Sequence, residues 1–234
     1  MYNENKIIAD SARALSQYME SHFADYELLF YSDGSTDGCD ETVRAMNLPH
    51  TRVLSGNPNR GKGYTVRAAM LAATGDVRMF TDADLAYGTD VIGAVADKLE
   101  SSPDADVVIG SRNLSRNGYE GYTWMRRVAS KAYIRVLCLI GGIRVTDSQC
   151  GCKAYRAKAA EQIFSRCEVN GFAFDFETLL WAKKLGLRVC EIPVHVIRHG
   201  ASKVRVVRDS VRMLRDLAKM KKRIKKSRRI KERP

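Results

Sequence analysis

A chain of 234 residues, 45% of them hydrophobic, is long enough for one domain with a substantial core. Its net charge of +12 lies at one end: 15 Lys and Arg against 3 Asp and Glu fall between Lys203 and Arg233, and the other 24 of each sign cancel. A neutral body with a basic end argues against a nucleic-acid-binding core, and no apolar run reaches the roughly 18 residues of a membrane-spanning helix.

The six cysteines form no CxxC or His-spaced pair, so reduced, mostly buried thiols are expected rather than a zinc site. Met1 to Glu4 lacks the basic-then-apolar pattern of an export signal, which predicts a cytoplasmic location.

In chain order, strand-like segments occur at Tyr26 to Tyr31, Thr51 to Leu54, Val77 to Thr81, Ala105 to Gly110 and Leu187 to Val196. Helical stretches lie near Lys6 to His22, Cys39 to Met46, Lys62 to Ala73, Val91 to Glu100, Trp124 to Ile140, Ala157 to Phe164 and Asp175 to Leu185. This alternation predicts an α/β fold, a mixed but mostly parallel sheet flanked by helices. The chain opens with Met-Tyr-Asn-Glu and passes directly into a helix, whereas a doubly wound nucleotide-binding unit starts with a buried strand. The usual first strand is therefore expected to be missing, and the recorded start to lie inside a longer natural protein. A vacant mid-sheet position would leave ladder groups unpaired, at a cost on the order of several kcal/mol.

Residues 1–204 are expected to form the globular domain and residues 205–234 a basic amphipathic tail. Val206, Val207, Val211, Met213, Leu214, Leu217, Met220 and Ile224 stand among Arg and Lys there, a pattern that suits an anionic membrane surface. The apolar helix from Trp124 to Ile140 suits either lipid contact or a buried core position.

Several motifs sit where such a fold carries its chemistry. Asp33, after a strand and before a helix, is placed to accept hydrogen bonds from a nucleobase or ribose; an Asx turn or helix cap would use the same residue. Gly61-Lys62-Gly63 opens a helix, with Arg67 one turn on, so a cation and helix N–H groups are placed for a phosphate, although the P-loop spacing is absent. Asp82-Ala83-Asp84 ends an apolar strand. Two strand residues advance about 6.5 to 7 Å and return to one face, so both carboxylates would reach one Mg²⁺ or Mn²⁺ on a diphosphate. Arg112 ends another strand, and Arg126 and Ser130 share a helix face, a grouping that would hold a phosphate or simply be solvated. In Asp147 to Lys153, the central Gly151 would also serve plain strand-to-helix packing.

Taken in order, Tyr2-Asn3-Glu4, Asp33-Gly34-Ser35-Thr36-Asp37, Gly61-Lys62-Gly63, Asp82-Ala83-Asp84, Gly110-Ser111-Arg112, Asp147-Ser148-Gln149-Cys150-Gly151-Cys152-Lys153, Phe174-Asp175-Phe176-Glu177 and Glu191-Ile192-Pro193-Val194 resemble the family 2 glycosyltransferases. The subgroup most resembled is the dolichyl or polyprenyl phosphate glucosyl- and mannosyltransferases, and the match runs from Tyr2 to about Lys203. The resemblance implies a GT-A fold and inverting transfer of a hexose from UDP-glucose or GDP-mannose to a polyprenyl or dolichyl phosphate. Asp82, Asp84 and Arg112 would be catalytic, with Asp82 and Asp84 as ligands of Mg²⁺ or Mn²⁺. Tyr2, Glu4, Asp33, Lys62 and Asp82 would bind the donor. Arg112, Arg126, Ser130, Arg198 and Lys203 would bind the acceptor phosphate, with Asp147, Lys153 and Glu177 as further candidates.

A lipid phosphate is already anionic near neutral pH, so the nucleophile needs cationic positioning more than a general base. Ala86, where mannosyl enzymes often carry Gln, resembles the glucosyl branch, and Ser32 replaces the Asp usual before Asp33. The implied partners are the nucleotide sugar, the lipid phosphate and an anionic membrane surface reached by the basic tail, at the membrane's cytoplasmic face; a membrane subunit or homo-oligomer is compatible with this. The competing readings are transfer to a non-lipid glycan or cell-wall acceptor, a nucleic-acid binder recruited by the tail, and a chain inactivated by its missing strand.

Overall fold

Short runs of four to six residues form the strands of this chain, and the longer stretches between them form helices. The computed structural model describes residues 1–197, 216, 217 and 219–227, without the side chain of Arg126. In chain order the elements are α1 (Asn5–His22), β1 (Leu28–Asp33), α2 (Cys39–Ala45), β2 (Thr51–Gly56), α3 (Lys62–Ala72), β3 (Val77–Phe80) and α4 (Asp90–Ser101). They continue with β4 (Val107–Ser111), α5 (Trp124–Gly141), β5 (Lys153–Arg156), α6 (Ala157–Phe164), α7 (Phe174–Leu185) and β6 (Val189–Pro193).

The strands form two pieces rather than one sheet. β1 and β2 pair in parallel, from Leu28 opposite Thr51 to Asp33 opposite Gly56. The other piece has the order β3-β5-β4-β6, in which β5 runs antiparallel to β3 and β4 while β6 is parallel to β4. Between β1 and β3 lies a cavity of about 1100 Å³, walled by Leu28 to Tyr31 and by Val77 to Phe80.

One strand was not anticipated. β5 is four residues long and begins with Lys153, which is fully buried between its neighbours; a lysine at a core position defeats a reading by hydrophobic alternation. The core packs on both faces of this piece of sheet. α5, α6 and α7 cover one face, with Ile134, Leu137, Phe164, Phe176 and Leu179 against Val107, Ile109 and Tyr155. α4 contributes Val91, Val95 and Leu99, packed with Val108, Ala154 and Ile192. All six cysteines are free and only Cys190 is not fully buried; burial pushes the Cys150 thiol up to about 11, which keeps it protonated and inert.

The described part of the basic tail differs from expectation. Leu217, Met220 and Ile224 do not form a face for lipid; they are buried in the same core as α5, α6 and α7. Their i, i+3, i+7 spacing makes one helical stripe, and protein covers it. Arg223 on the same helical segment pairs with Glu168 and Glu177, and Lys221 donates to the Ile140 carbonyl at 2.5 Å. Leu217→Ala and Ile224→Ala should each destabilise the fold by about 2 to 4 kcal/mol in denaturant titrations. A stripe that faced lipid would give no change.

Candidate active site

The carboxyl ends of β1 and β3 bring the site together. The turn after β1 is held by the residues before α1: the Thr36 amide donates to the Asn3 Oδ1 at 2.9 Å, and the Asn5 amide to the Asp37 carboxylate at 2.8 Å. Tyr2 and Glu4 are the sequence neighbours of Asn3 and Asn5, which make these bonds to the Ser35 to Asp37 turn. Asp33 is nearly fully buried, and its two carboxylate oxygens accept from the amides of Arg60 (3.0 Å) and Gly61 (2.8 Å). Its carboxylate anchors the loop that leads into α3, so both oxygens face backbone rather than an open nucleoside cleft.

The start of α3 also departs from the phosphate-cradle expectation. The Gly63 and Tyr64 amides both donate to the Asn170 carbonyl (2.8 and 3.4 Å), and the Arg67 guanidinium donates to the Cys167 carbonyl and to Asn170. These donors bind the 167–170 loop. The reason for Gly63 is the same contact: a Cβ there would lie 2.3 Å from the Val169 carbonyl oxygen.

Lys62 is the cation that remains directed at the site. Its Nζ lies 2.5 Å from the Asp82 Oδ1. Burial disfavours the ammonium, but Asp82, Asp175 and Asp84 outweigh it and hold the pKa above its ordinary value. Asp82 and Asp84 do not share a strand face, because β3 ends at Phe80 and Asp84 lies in the following turn. That turn is closed by the Leu85 amide on the Asp82 carbonyl (3.0 Å) and the Ala86 amide on the Asp84 Oδ1 (3.1 Å). The carboxylates still feel each other: burial first, and then the charge of Asp82, raise the Asp84 pKa.

The 147–153 segment backs this cluster. A Cβ on Gly151 would fall 2.3 Å from the Asp82 Oδ2, so only glycine leaves room for that carboxylate. The segment is pinned at both ends. At one end, Arg112 grips Asp147 through Nε (2.7 Å) and a terminal nitrogen (3.0 Å), with its backbone amide also on that carboxylate; Asp147 is 0% exposed. Although burial opposes it, Asp147 holds the Arg112 pKa far above the ordinary value. At the other end, fully buried Lys153 pairs with Asp175 and donates to the carbonyls of Ser148 (3.3 Å) and Cys150 (3.0 Å).

Four sequence candidates are engaged by neighbouring groups of the chain. Arg112 gives Nε and one terminal nitrogen to Asp147. Asp147 and Lys153 are sealed from solvent. Glu177, also sealed, accepts from the Glu168 and Val169 amides and pairs with Arg223. Ser130 lies beside Tyr119, whose ring is flanked by Arg112 and Lys131 at 5.3 and 5.7 Å. The side chain of Arg126, and all of Arg198 and Lys203, lie outside the described residues. Sequence reasoning missed Asp175 and Glu191. Asp175 stood in the quoted Phe-Asp-x-Glu motif, and Glu191, which accepts from the Thr146 and Asp147 amides, stood in Glu-Ile-Pro-Val.

The profile described as Glycosyl transferase family 2 matches residues 1–164. The chain is 29% identical over 216 residues to a dolichyl-phosphate beta-glucosyltransferase of Trichomonas vaginalis, covering 88% of this chain and 64% of that protein. It is 31% identical over 243 residues to the dolichyl-phosphate beta-glucosyltransferase of Saccharomyces cerevisiae, covering 92% and 70%. The chain thus spans just under two thirds of the Trichomonas protein. Among solved structures, the glucosyl-3-phosphoglycerate synthase of Mycobacterium tuberculosis in complex with UDP superposes with a TM-score of 0.72 at 18% identity, over 94% of this chain and 77% of that one. The same enzyme with Mn²⁺, UDP and glucosyl-3-phosphoglycerate gives 0.71 at 17% identity, over 96% and 77%. The fold is the GT-A glycosyltransferase fold.

Removing one partner of a buried ion pair leaves the other charge desolvated. Asp147→Ala should therefore cost on the order of 3 to 5 kcal/mol in thermal or denaturant unfolding; a loss typical of an exposed pair, below about 1 kcal/mol, would contradict the support role.

Proposed function

The chain belongs to glycosyl transferase family 2, and from that premise we propose that it transfers a hexose from a nucleotide diphosphate sugar to a polyprenyl or dolichyl phosphate. The observation that carries this reading is the cluster at the carboxyl ends of β1 and β3: Lys62 on Asp82 at 2.5 Å, with Asp84 beside it and Gly151 behind. The curated relatives described above are named for glucosyl transfer to dolichyl phosphate, and Ala86 departs from the mannosyl pattern; both favour UDP-glucose over GDP-mannose.

Asp82 and Asp84 fit a divalent cation. Both are hard oxygen donors, and the burial and the Asp82 charge that raise the Asp84 pKa disfavour a carboxylate that a shared cation would stabilise. The Mycobacterium enzyme of the same fold was solved with Mn²⁺ and UDP. Bound there, Mg²⁺ or Mn²⁺ supplies positive charge for a diphosphate as it departs. Lys62 then exchanges its Asp82 partner for a phosphate oxygen and adds its own charge to the leaving group. Tyr2 and Glu4 flank the nucleoside side, while Asp33 positions the loop before Lys62. Ser130, with Arg126, Arg198 and Lys203, serves the acceptor phosphate, whose oxygen attacks the anomeric carbon without needing its proton removed.

No helix among the described residues is long and apolar enough to cross a membrane. α5 offers a surface for one instead: Trp124 is 74% exposed and Leu139 81%, with Val128 and Val136 between them, and Arg127, Lys131 and Arg135 are exposed on the same helix. Apolar side chains among cations suit an anionic lipid surface. The membrane contact is thus assigned chiefly to α5, at the face where the lipid phosphate arrives.

Incubation with UDP-glucose, Mg²⁺ or Mn²⁺ and a polyprenyl phosphate should yield a lipid-linked glucose and UDP. Asp82→Asn should lower that rate by roughly 100-fold or more. Glucose delivered only to a soluble glycan would favour the non-lipid reading. Trp124→Ser with Leu139→Ser should weaken co-sedimentation with anionic vesicles without lowering the thermal midpoint, and undiminished sedimentation would remove α5 from the membrane contact.

A further inference from the structure

The C-terminal end of α5 packs on α7, and a helical segment of residues 219–226 lies beside both. Gly141 allows the close approach, because a Cβ there would lie 2.5 Å from the Phe176 ring. Gly142 follows in the left-handed region, with φ at 61°, and the helix stops. A helix end leaves its last carbonyls without amide partners. Two lysines from other elements supply them: the Lys183 Nζ donates to the Gly142 carbonyl at 2.6 Å, and the Lys221 Nζ to the Ile140 carbonyl at 2.5 Å.

Between these three elements is a cavity of about 650 Å³, lined by Gly141, Leu180, Ile224 and five lysines. No Asp or Glu lines it among the described residues. Glu168 and Glu177, which pair with the same helical segment, are both taken by Arg223, and Arg223 is not in the lining. The α5 carbonyls offset the charges of Lys183 and Lys221. Lys184, Lys222 and Lys225 have no such partner among the described residues. Lysines on one convex helix face would simply be solvated, whereas these come from two helices around one concavity with an apolar floor. An anion held between them relieves their repulsion.

The pocket is continuous with the exposed apolar side of α5. Leu139 and Ile140, 81% and 41% exposed, stand in the last turn of the helix, whose end Lys183 and Lys221 hold. Cations at the same level as apolar side chains suit the boundary between headgroups and acyl chains. A free phosphate ion would use the lysines but would leave Leu139 and Ile140 in water.

Resting on the reading of α5 as the membrane-contacting helix, we propose that this pocket binds the phosphate of one anionic phospholipid headgroup, at a site separate from that of the acceptor. Lys184, Lys222 and Lys225 hold the phosphate oxygens, and Leu139 and Ile140 meet the first carbons of the acyl chains. Ammonium groups on flexible stems suit a phosphodiester, which they approach as point charges from several directions. Ser130, assigned to the acceptor phosphate, precedes Gly141 by about 16 Å of helix axis. One helix thus carries the acceptor group toward one end and the lipid anchor at the other.

Co-sedimentation of the full chain with phosphatidylcholine vesicles containing phosphatidylglycerol tests the site. Three chains are compared: the unaltered protein, Lys184→Gln with Lys222→Gln, and Lys98→Gln with Lys158→Gln, which removes the same charge elsewhere. The pocket variant should bind these vesicles about tenfold or more weakly and the control within about twofold of the unaltered chain, with thermal midpoints unchanged. Acylation of Lys184 and Lys222 by an amine-reactive reagent should fall when these vesicles are added, and not with phosphatidylcholine alone. Equal weakening in the two variants, or unchanged acylation, overturns the proposal, because net charge rather than a site would then hold the lipid. Inorganic phosphate that protects both lysines as fully as the vesicles overturns it in favour of a soluble anion. Undiminished sedimentation of the pocket variant overturns it and leaves the α5 contact standing, whereas failure of the unaltered chain to sediment removes both.

Discussion

The 147–153 segment depends on being held at both ends by buried ion pairs, Arg112 with Asp147 and Lys153 with Asp175. A single such pair is weak evidence of net stability, because desolvation consumes much of the attraction. Two of them on one seven-residue stretch have a geometric effect instead. Between them Gly151 is set against the Asp82 carboxylate, with no space for a Cβ, and Asp82 in turn carries Lys62. The position of the Lys62–Asp82 cluster thus rests on charges that are themselves buried.

The motif order was legible in the sequence because the motifs sit at the ends of strands and the starts of helices, where the α/β layering places its chemistry. Helix positions followed from apolar periodicity and from glycines at the junctions; α6 spans Ala157–Phe164 as read from sequence. What a motif residue does was less legible. Asp33, Arg112, Lys153 and Glu177 are charged residues within the quoted motifs, and such residues suggest ligand contact when partners are unknown. Their partners, the Arg60 and Gly61 amides, Asp147, Asp175 and the Glu168 and Val169 amides, lie 8 to 35 residues away in sequence, beyond any local pattern. The same limit hid β5, whose buried lysine is acceptable only because Asp175 approaches from α7.

Charge followed a similar course. The basic excess beyond Lys203 suggested an amphipathic membrane tail, yet Leu217, Met220 and Ile224 close the core over α5 and α7. An amphipathic stripe records only that one face avoids water; protein and lipid satisfy it equally. The exposed apolar face is on α5, where Trp124, Val128 and Leu139 stand among arginines and a lysine. The strands themselves fall into two sheet pieces, β1-β2 and β3-β5-β4-β6, with a cavity between β1 and β3.

The central claim is that Asp82 and Asp84, together with a divalent cation, hold the diphosphate of a sugar nucleotide, and that Lys62 leaves Asp82 to join it. Calorimetric titration of UDP-glucose into the protein, with and without Mn²⁺, tests it most directly. Saturable heat that requires Mn²⁺ and disappears in Asp84→Asn is the predicted result; identical binding in chelator, or in that variant, would contradict it.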